Sequence, residues 1–345
     1  MQDDSALETL FLPFATGAIA LPIDGCVLFL RARAGVAAAA SARDQLRCVQ
    51  TFKPFADELL RAGFRLAEPT DEAFPLVLVL PPRQREEARA LFAQAIRKAK
   101  VGGTVVASMS NVEGARSGEA DLKQLAGNIQ MLSKNKCRAF WATVTDAAKK
   151  SPLAEQWAQL DAPQAIGDDG RFLSRPGLFA WDRIDRASQL LADHLPRNLT
   201  GRAADLGAGY GYLSAELLAR NPGISALDVY EAEARALEVA RLNLEKAASE
   251  IAIGYHWHDV TTGLLDRYDV VVSNPPFHQG RADRPNLGRE FIIAAAQALK
   301  PGGRFWLVAN RHLPYEATLA EHFASVHAVV VQDGFKVIEA VKAPR

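Results

Sequence analysis

Apolar positions along the chain fall into short, nearly continuous runs, each followed by a stretch of helical spacing. This alternation predicts an α/β fold built on parallel sheets. Residues 26–30 and 64–66 read as strands in the first half, and an Ala-rich run after Gly35 starts a helix. Leu76-Val77-Leu78-Val79-Leu80 reads as a strand covered on both faces, ended by Pro81-Pro82, which have no N–H to donate. Over 83–100, Ala88, Leu91, Phe92, Ala95, Ile96 and Ala99 share one helical face. Gly102-Gly103 ends that helix, and 104–107 opens the next strand.

The same order returns in the second half. Val270-Val271-Val272 is a buried strand ended by Pro275-Pro276; 289–299 is helical; Gly302-Gly303 follows; 304–309 is a strand. Pro81 precedes Gly102 by 21 residues, and Pro275 precedes Gly302 by 27. A repeat of this length implies two tandem doubly wound α/β domains, 1–160 and 161–345. They differ where chemistry would sit, since Asn274 corresponds to Leu80. The first copy is therefore expected to keep the fold without catalysis and to give structural support. Turn residues at 149–152 and 162–170 mark the boundary, and an amphipathic helix over 181–195 enters the second domain.

Strand ends in the second copy carry the candidate chemistry. Asp205 precedes Gly207-Ala208-Gly209-Tyr210-Gly211 at a strand-to-helix turn. There, glycines let backbone approach a ligand, and the helix start offers free N–H groups. Tyr212 stands where a dinucleotide fingerprint needs its last glycine, which disfavours a nicotinamide enzyme. Glu231 ends another strand, 26 residues after Asp205, a spacing that brings a second carboxylate beside the glycine loop. Asp259 follows at a further strand end, after His256 and His258, which read as hydrogen-bonded rather than metal-ligating because no third ligand is in sight. Asn274 is held extended by the proline after it. Its amide, the Pro275 carbonyl and the Phe277 ring suit a planar group bearing an NH2.

Composition adds limits. The 345 residues carry a formal net charge of +0, so the chain is not a wholly basic nucleic-acid binder. Locally, 83–150 holds 13 Lys/Arg against 6 Asp/Glu, with Lys134, Lys136 and Arg138 beside Phe140 and Trp141, a pattern that could hold phosphate and stack bases. Three scattered cysteines point to free thiols and a reducing compartment. An acidic N-terminus and the lack of long apolar runs predict a cytoplasmic protein without leader or membrane span.

Asp205-x-Gly-x-Gly-x-Gly211 resembles the first motif of class I S-adenosylmethionine-dependent methyltransferases. Asn274-Pro275-Pro276-Phe277-His278-Gln279-Gly280 is similar to the Asn-Pro-Pro-Phe-His-x-Gly of bacterial ribosomal RNA guanine-N2 methyltransferases of the small-subunit type. So are 308–315, containing Asn310, and the ending Gly334-Phe335-Lys336-Val337. The likeness is strong over the second half and weak over the first.

The resemblance implies S-adenosylmethionine on Asp205, Gly207, Gly209, Gly211, Glu231, Asp259 and Asn274. It implies catalysis by Asn274, Pro275 and Phe277, with a base held by Pro276, Phe277, His278 and Asn310. It further implies 16S ribosomal RNA or the small-subunit particle as partner, a monomer, and neither metal nor membrane. One departure stands out: the family's Asp-x-Gly-Ser is here Asp185-Arg186-Ala187-Ser188, which lowers the weight given to Asp185. The motif also leaves open a large-subunit target, adenine-N6 or protein glutamine as substrate, and a non-catalytic assembly factor that keeps the fold.

Overall fold

The computed structural model describes residues 4–38, 43–68, 70–276, 278–279, 282–283 and 285–344, without the side chains of 278, 279, 282, 283 and 285. The chain divides into two compact units: residues up to Ala162 with Arg175–Gly177, and Pro163–Ser174 with the chain from Leu178 onward.

In the first unit the strands are β1 (Val27–Leu30), β2 (Leu46–Val49), β3 (Arg65–Leu66), β4 (Phe74–Val79), β5 (Ala99–Ser110), β6 (Gln130–Lys134) and β7 (Cys137–Thr143). They form one sheet in the order β3-β2-β1-β4-β5-β7-β6. The second unit opens with a hairpin, β8 (Gln164–Ile166) and β9 (Phe172–Ser174). Its main strands are β10 (Thr200–Leu206), β11 (Gly223–Glu231), β12 (Ala252–Trp257) and β13 (Tyr268–Ser273). After the short pair β14 (His278–Gln279) and β15 (Ala282–Asp283) come β16 (Leu299–Asn310), β17 (Ser325–Gln332) and β18 (Phe335–Val341). The sheet order, β12-β11-β10-β13-β16-β18-β17, repeats that of the first unit. In each sheet the first five strands are parallel and the last two pairings antiparallel.

The duplication extends to irregularities. Pairing of β4 with β5 steps from Phe74↔Ala99 to Leu76↔Thr104; pairing of β13 with β16 steps from Tyr268↔Leu299 to Val270↔Arg304. Each step accommodates the Gly-Gly pair, with Gly102 and Gly302 left-handed at φ 79° and 75°. A Cβ on Gly103 or Gly303 would stand about 3 Å or less from backbone carbonyls, so both positions exclude side chains. The glycines thus sit inside long bulged strands, and the first-unit helix, Arg85–Lys98, stops before them.

Two expectations need correction. The helix entering the second unit is Arg186–His194, not 181–195, because Asp185 caps it: its Oδ2 accepts from the Ser188 N–H at 2.9 Å. Phe140 is fully buried and Trp141 7% exposed, so these rings pack in the core and cannot stack on RNA. Cys26, Cys48 and Cys137 are free thiols. Among the described residues no helix is long and apolar enough to cross a membrane.

Candidate active site

Parallel strands in an open α/β sheet leave a crevice at their carboxyl ends where the strand order reverses. Here that point lies between β10 and β13. Leu206, Tyr230 and Ser273 lie in register, so Gly207, Glu231 and Asn274 stand side by side at the carboxyl edge of the sheet. The buried Ser273 Oγ donates to the Leu206 carbonyl at 2.7 Å and pins the two strand ends. A Cβ on Gly207 would meet the Phe291 ring at 3.2 Å and Pro276 Cδ at 3.9 Å, so the glycine loop and the Asn-Pro-Pro turn are neighbours.

Gly207, Gly209 and Gly211 all have positive φ, at 70°, 57° and 88°. Gly211 caps the helix Tyr212–Arg220, and Gly209 faces open space, with nothing within 4 Å of an added Cβ. Glu231 lies under this loop. Its Oε2 accepts from Gly209 N–H at 2.7 Å and its Oε1 from Glu233 N–H at 2.8 Å; burial pushes its pKa up against these bonds. Asp259 Oδ1 accepts from Thr261 N–H at 3.0 Å and Oγ1 at 2.7 Å, capping the turn after β12.

Asp205 is wholly buried. Ser214 Oγ donates to its Oδ2 at 2.7 Å, and Oδ1 has no hydrogen-bond partner among the described residues. Burial foremost, then the Glu231 charge, pushes its carboxyl up to about 7, against the Ser214 hydrogen bonds. A folded pKa above the unfolded one means that the stabilisation is full below about pH 4 and is lost as pH rises through about 7. Asp205→Asn is therefore expected to gain stability over the wild type as pH is raised from about 5 to about 8. The gain over this range is at most about 3 kcal/mol, at about 1.36 kcal/mol for each of the two pKa units between about 5 and about 7. Thermal melts at both pH values, without ligand, check this.

Asn274 is half-buried at the end of β13. Its Nδ2 donates to Asp185 Oδ2 and to Ser188 Oγ, each at 2.9 Å. A carboxylate cannot donate, so Asp185 fixes which end of the amide faces it and turns Oδ1 the other way. Reading the sequence undervalues Asp185 because Ala187 replaces the family's glycine; Ala187 is only 3% exposed and packs into the core below. The Asp-x-x-Ser capping pattern is the available signal.

Of the remaining candidates, Pro275 is buried and Pro276 half-buried. Asn310 ends β16, next to β13, and its carbonyl accepts from Leu313 N–H at 3.1 Å. His278 lies in β14, its side chain outside the described set; Phe277 and Gly280 are outside the described residues altogether. Asp228 turns from the crevice to Arg202 and to His256 Nε2, the latter at 2.7 Å, while His258 Nε2 bonds the Gly263 carbonyl at 2.6 Å.

The first unit shows what this arrangement looks like when abandoned. The registers of β1 with β2 and β4 equate Arg31 with Gly207, Gln50 with Glu231 and Leu80 with Asn274. Arg31 keeps the positive φ, 54°, that glycine adopts at no cost. Gln50 Oε1 still accepts from the N–H two residues on, Phe52, at 2.9 Å, but its Nε2 donates to the Ala32 carbonyl at 2.7 Å and closes the loop onto itself.

Three acidic side chains, Asp205 with its orphaned buried oxygen, Glu231 and Asp259, and a glycine cradle form a donor set suited to a cationic cofactor. Together with the sheet order, they define the second unit as a class I methyltransferase domain. The family model "Methyltransferase small domain" matches residues 169–339. The Ribosomal RNA small subunit methyltransferase C of Shewanella pealeana is 32% identical over 293 residues, 84% of each chain. That of Psychromonas ingrahamii is 26% identical over 78% of this chain and 76% of its own. The solved T. thermophilus 16S rRNA N2 G1207 methyltransferase (RsmC), in complex with AdoMet and guanosine, superposes with a TM-score of 0.81. It is 25% identical and covers 99% of this chain and 92% of that one. The chain belongs to the ribosomal RNA small subunit methyltransferase C family.

Proposed function

We propose that the protein methylates the exocyclic N2 amine of a guanine in 16S ribosomal RNA, with S-adenosylmethionine as donor. The observation that carries this reading is the Asn274 amide, held by Asp185 and Ser188 beside Gly207 with its oxygen as the remaining acceptor. The cofactor supplies an electrophilic methyl group. Gly207, Gly209 and Gly211 cradle it, Glu231 accepts from the ribose hydroxyls, Asp259 binds the adenine amine, and Asp205 supports the loop from below.

The guanine amine is a weak nucleophile because its lone pair is delocalised into the ring. Asn274 Oδ1 and the Pro275 carbonyl accept its two N–H bonds, localise the lone pair and fix its direction. No strong base is needed first, because the proton leaves from an ammonium that attack has made acidic. Pro276 and Asn310 are the described residues at the place of the base, which must be unpaired or flipped out. The identity of the methylated nucleoside tests this reading. Purified protein should place N2-methylguanosine in 16S RNA; N6-methyladenosine would overturn the assignment.

The first unit serves as support and RNA grip, and with a ribosomal substrate the protein works in the cytoplasm. The first unit has a cleft of about 440 Å³ lined by Asn111, Gly114, Arg116, Ser117 and Arg138, whose guanidinium pairs with Glu119 at 2.6 Å. Arg116→Ala with Arg138→Ala should weaken 16S RNA binding and lower the slope of log affinity against log salt by about one for each phosphate no longer held. An unchanged slope would remove the first unit from RNA binding at this cleft.

A further inference from the structure

We infer that Asp185 and Ser188 form a positioning pair that sets the polarity of the Asn274 amide and so makes it competent for transfer. This rests on the reading of Asn274 given above. Neither residue needs to touch cofactor or base; both act through Asn274.

An asparagine side chain has nearly equivalent ends, and rotating it by half a turn exchanges a double donor for an acceptor. At the mouth of this site only the acceptor is useful, because the group to be held is itself an NH2. An Nδ2 turned outward would present N–H to N–H and leave the amine's lone pair delocalised. Two acceptors prevent that rotation. Asp185 Oδ2 and Ser188 Oγ each lie 2.9 Å from Nδ2 and take both of its protons. Flipping would place Asn274 Oδ1 against the Asp185 carboxylate, a repulsive arrangement with no proton to share.

The pair is itself rigid. Asp185 Oδ2 also accepts from Ser188 N–H at 2.9 Å, so the cap of the helix Arg186–His194 and the grip on Asn274 share one oxygen. Ser188 is 8% exposed, between Ala187 and Leu191, which face the core. The helix is thereby locked to the end of β13 at a point where a small displacement would misplace the amide. A negative charge on the Nδ2 side also polarises the amide, draws electron density to Oδ1 and strengthens it as an acceptor. The first unit lacks the need, since Leu80 stands at the Asn274 position.

The test compares Asp185→Asn, Ser188→Ala, Asn274→Ala and the double variant Asp185→Asn/Asn274→Ala. The readouts are single-turnover methyl transfer to 16S RNA, the Kd for S-adenosylmethionine, and thermal melting. Asparagine is as good a helix cap as aspartate, so the fold should survive the change at position 185. Ser188→Ala provides a second route should it not.

Asp185→Asn should slow transfer roughly 10- to 100-fold, the worth of a charge-assisted hydrogen bond, and Ser188→Ala, which removes a neutral one, about 2- to 10-fold, while Kd stays within about twofold in both. The double variant should be no slower than Asn274→Ala alone, because the pair acts only through that amide. Slow transfer by Asn274→Ala with wild-type transfer by both Asp185→Asn and Ser188→Ala would overturn the positioning pair alone. Multiplying losses in the double variant would do the same. Wild-type transfer by Asn274→Ala would instead overturn the reading on which the pair rests.

Discussion

Asn274→Ala is expected to lower the rate constant of methyl transfer about 100- to 1000-fold and leave the Kd for S-adenosylmethionine within about twofold. The asymmetry follows from where the residue sits. The cradle is formed by Gly207, Gly209, Gly211 and Glu231, whose conformations are set by β10, β11 and the helix after them. Asn274 instead closes the other wall, and its Nδ2 is committed to Asp185 and Ser188. Removing the amide takes away an acceptor that gains strength only as the amine develops positive charge, so the loss falls on the chemical step. Single-turnover transfer with saturating cofactor, beside equilibrium binding, separates the two effects. Equal losses in rate and affinity would place Asn274 in the cofactor cradle instead.

Glu231→Gln is expected to do the reverse: S-adenosylmethionine affinity falls roughly 10- to 100-fold while the fold is kept. The substitution reproduces the glutamine that the first unit carries at Gln50. There the amide oxygen keeps the bond to the N–H two residues on, and the amide nitrogen reaches back to the Ala32 carbonyl at 2.7 Å. Ala32 corresponds to Ala208, and both residues donate their N–H to the neighbouring strand, at 3.0 and 3.1 Å. The introduced glutamine would thus have a loop carbonyl within the same reach and would tie up the cradle, besides losing the charge that two ribose hydroxyls would use. Calorimetric titration measures this directly. An unchanged Kd would mean that Glu231 only braces Gly209, and that the ribose is held elsewhere.

Much of this is legible in the chain, for a physical reason. Pro-Pro and Gly-Gly are strong punctuation, because one removes ladder donors and the other admits left-handed backbone, so the duplicated units can be read from their order. Gly207, Glu231 and Asn274 sit at strand ends, where apolar runs stop abruptly. Asp185 is harder. Its worth lies in a bond to a residue 89 positions away, and hydrophobic period alone runs the helix back through 181–185. The degenerate first copy is visible at Leu80 but not at Arg31 or Gln50. Those equivalences need the register between strands, which no linear spacing carries. Phe140 and Trp141 show the opposite error: basic neighbours suggest an RNA surface, yet β7 alternation and the sheet's cover turn both rings inward.

Cells lacking this protein, complemented with either the wild type or Asn274→Ala, can be compared by nucleoside mass spectrometry of their purified 16S RNA. If Asn274 directs methylation of the guanine amine, that RNA carries one N2-methylguanosine fewer without the protein, restored by the wild type and not by Asn274→Ala. An unchanged N2-methylguanosine content on loss of the protein, or full restoration by Asn274→Ala, would contradict that role for Asn274.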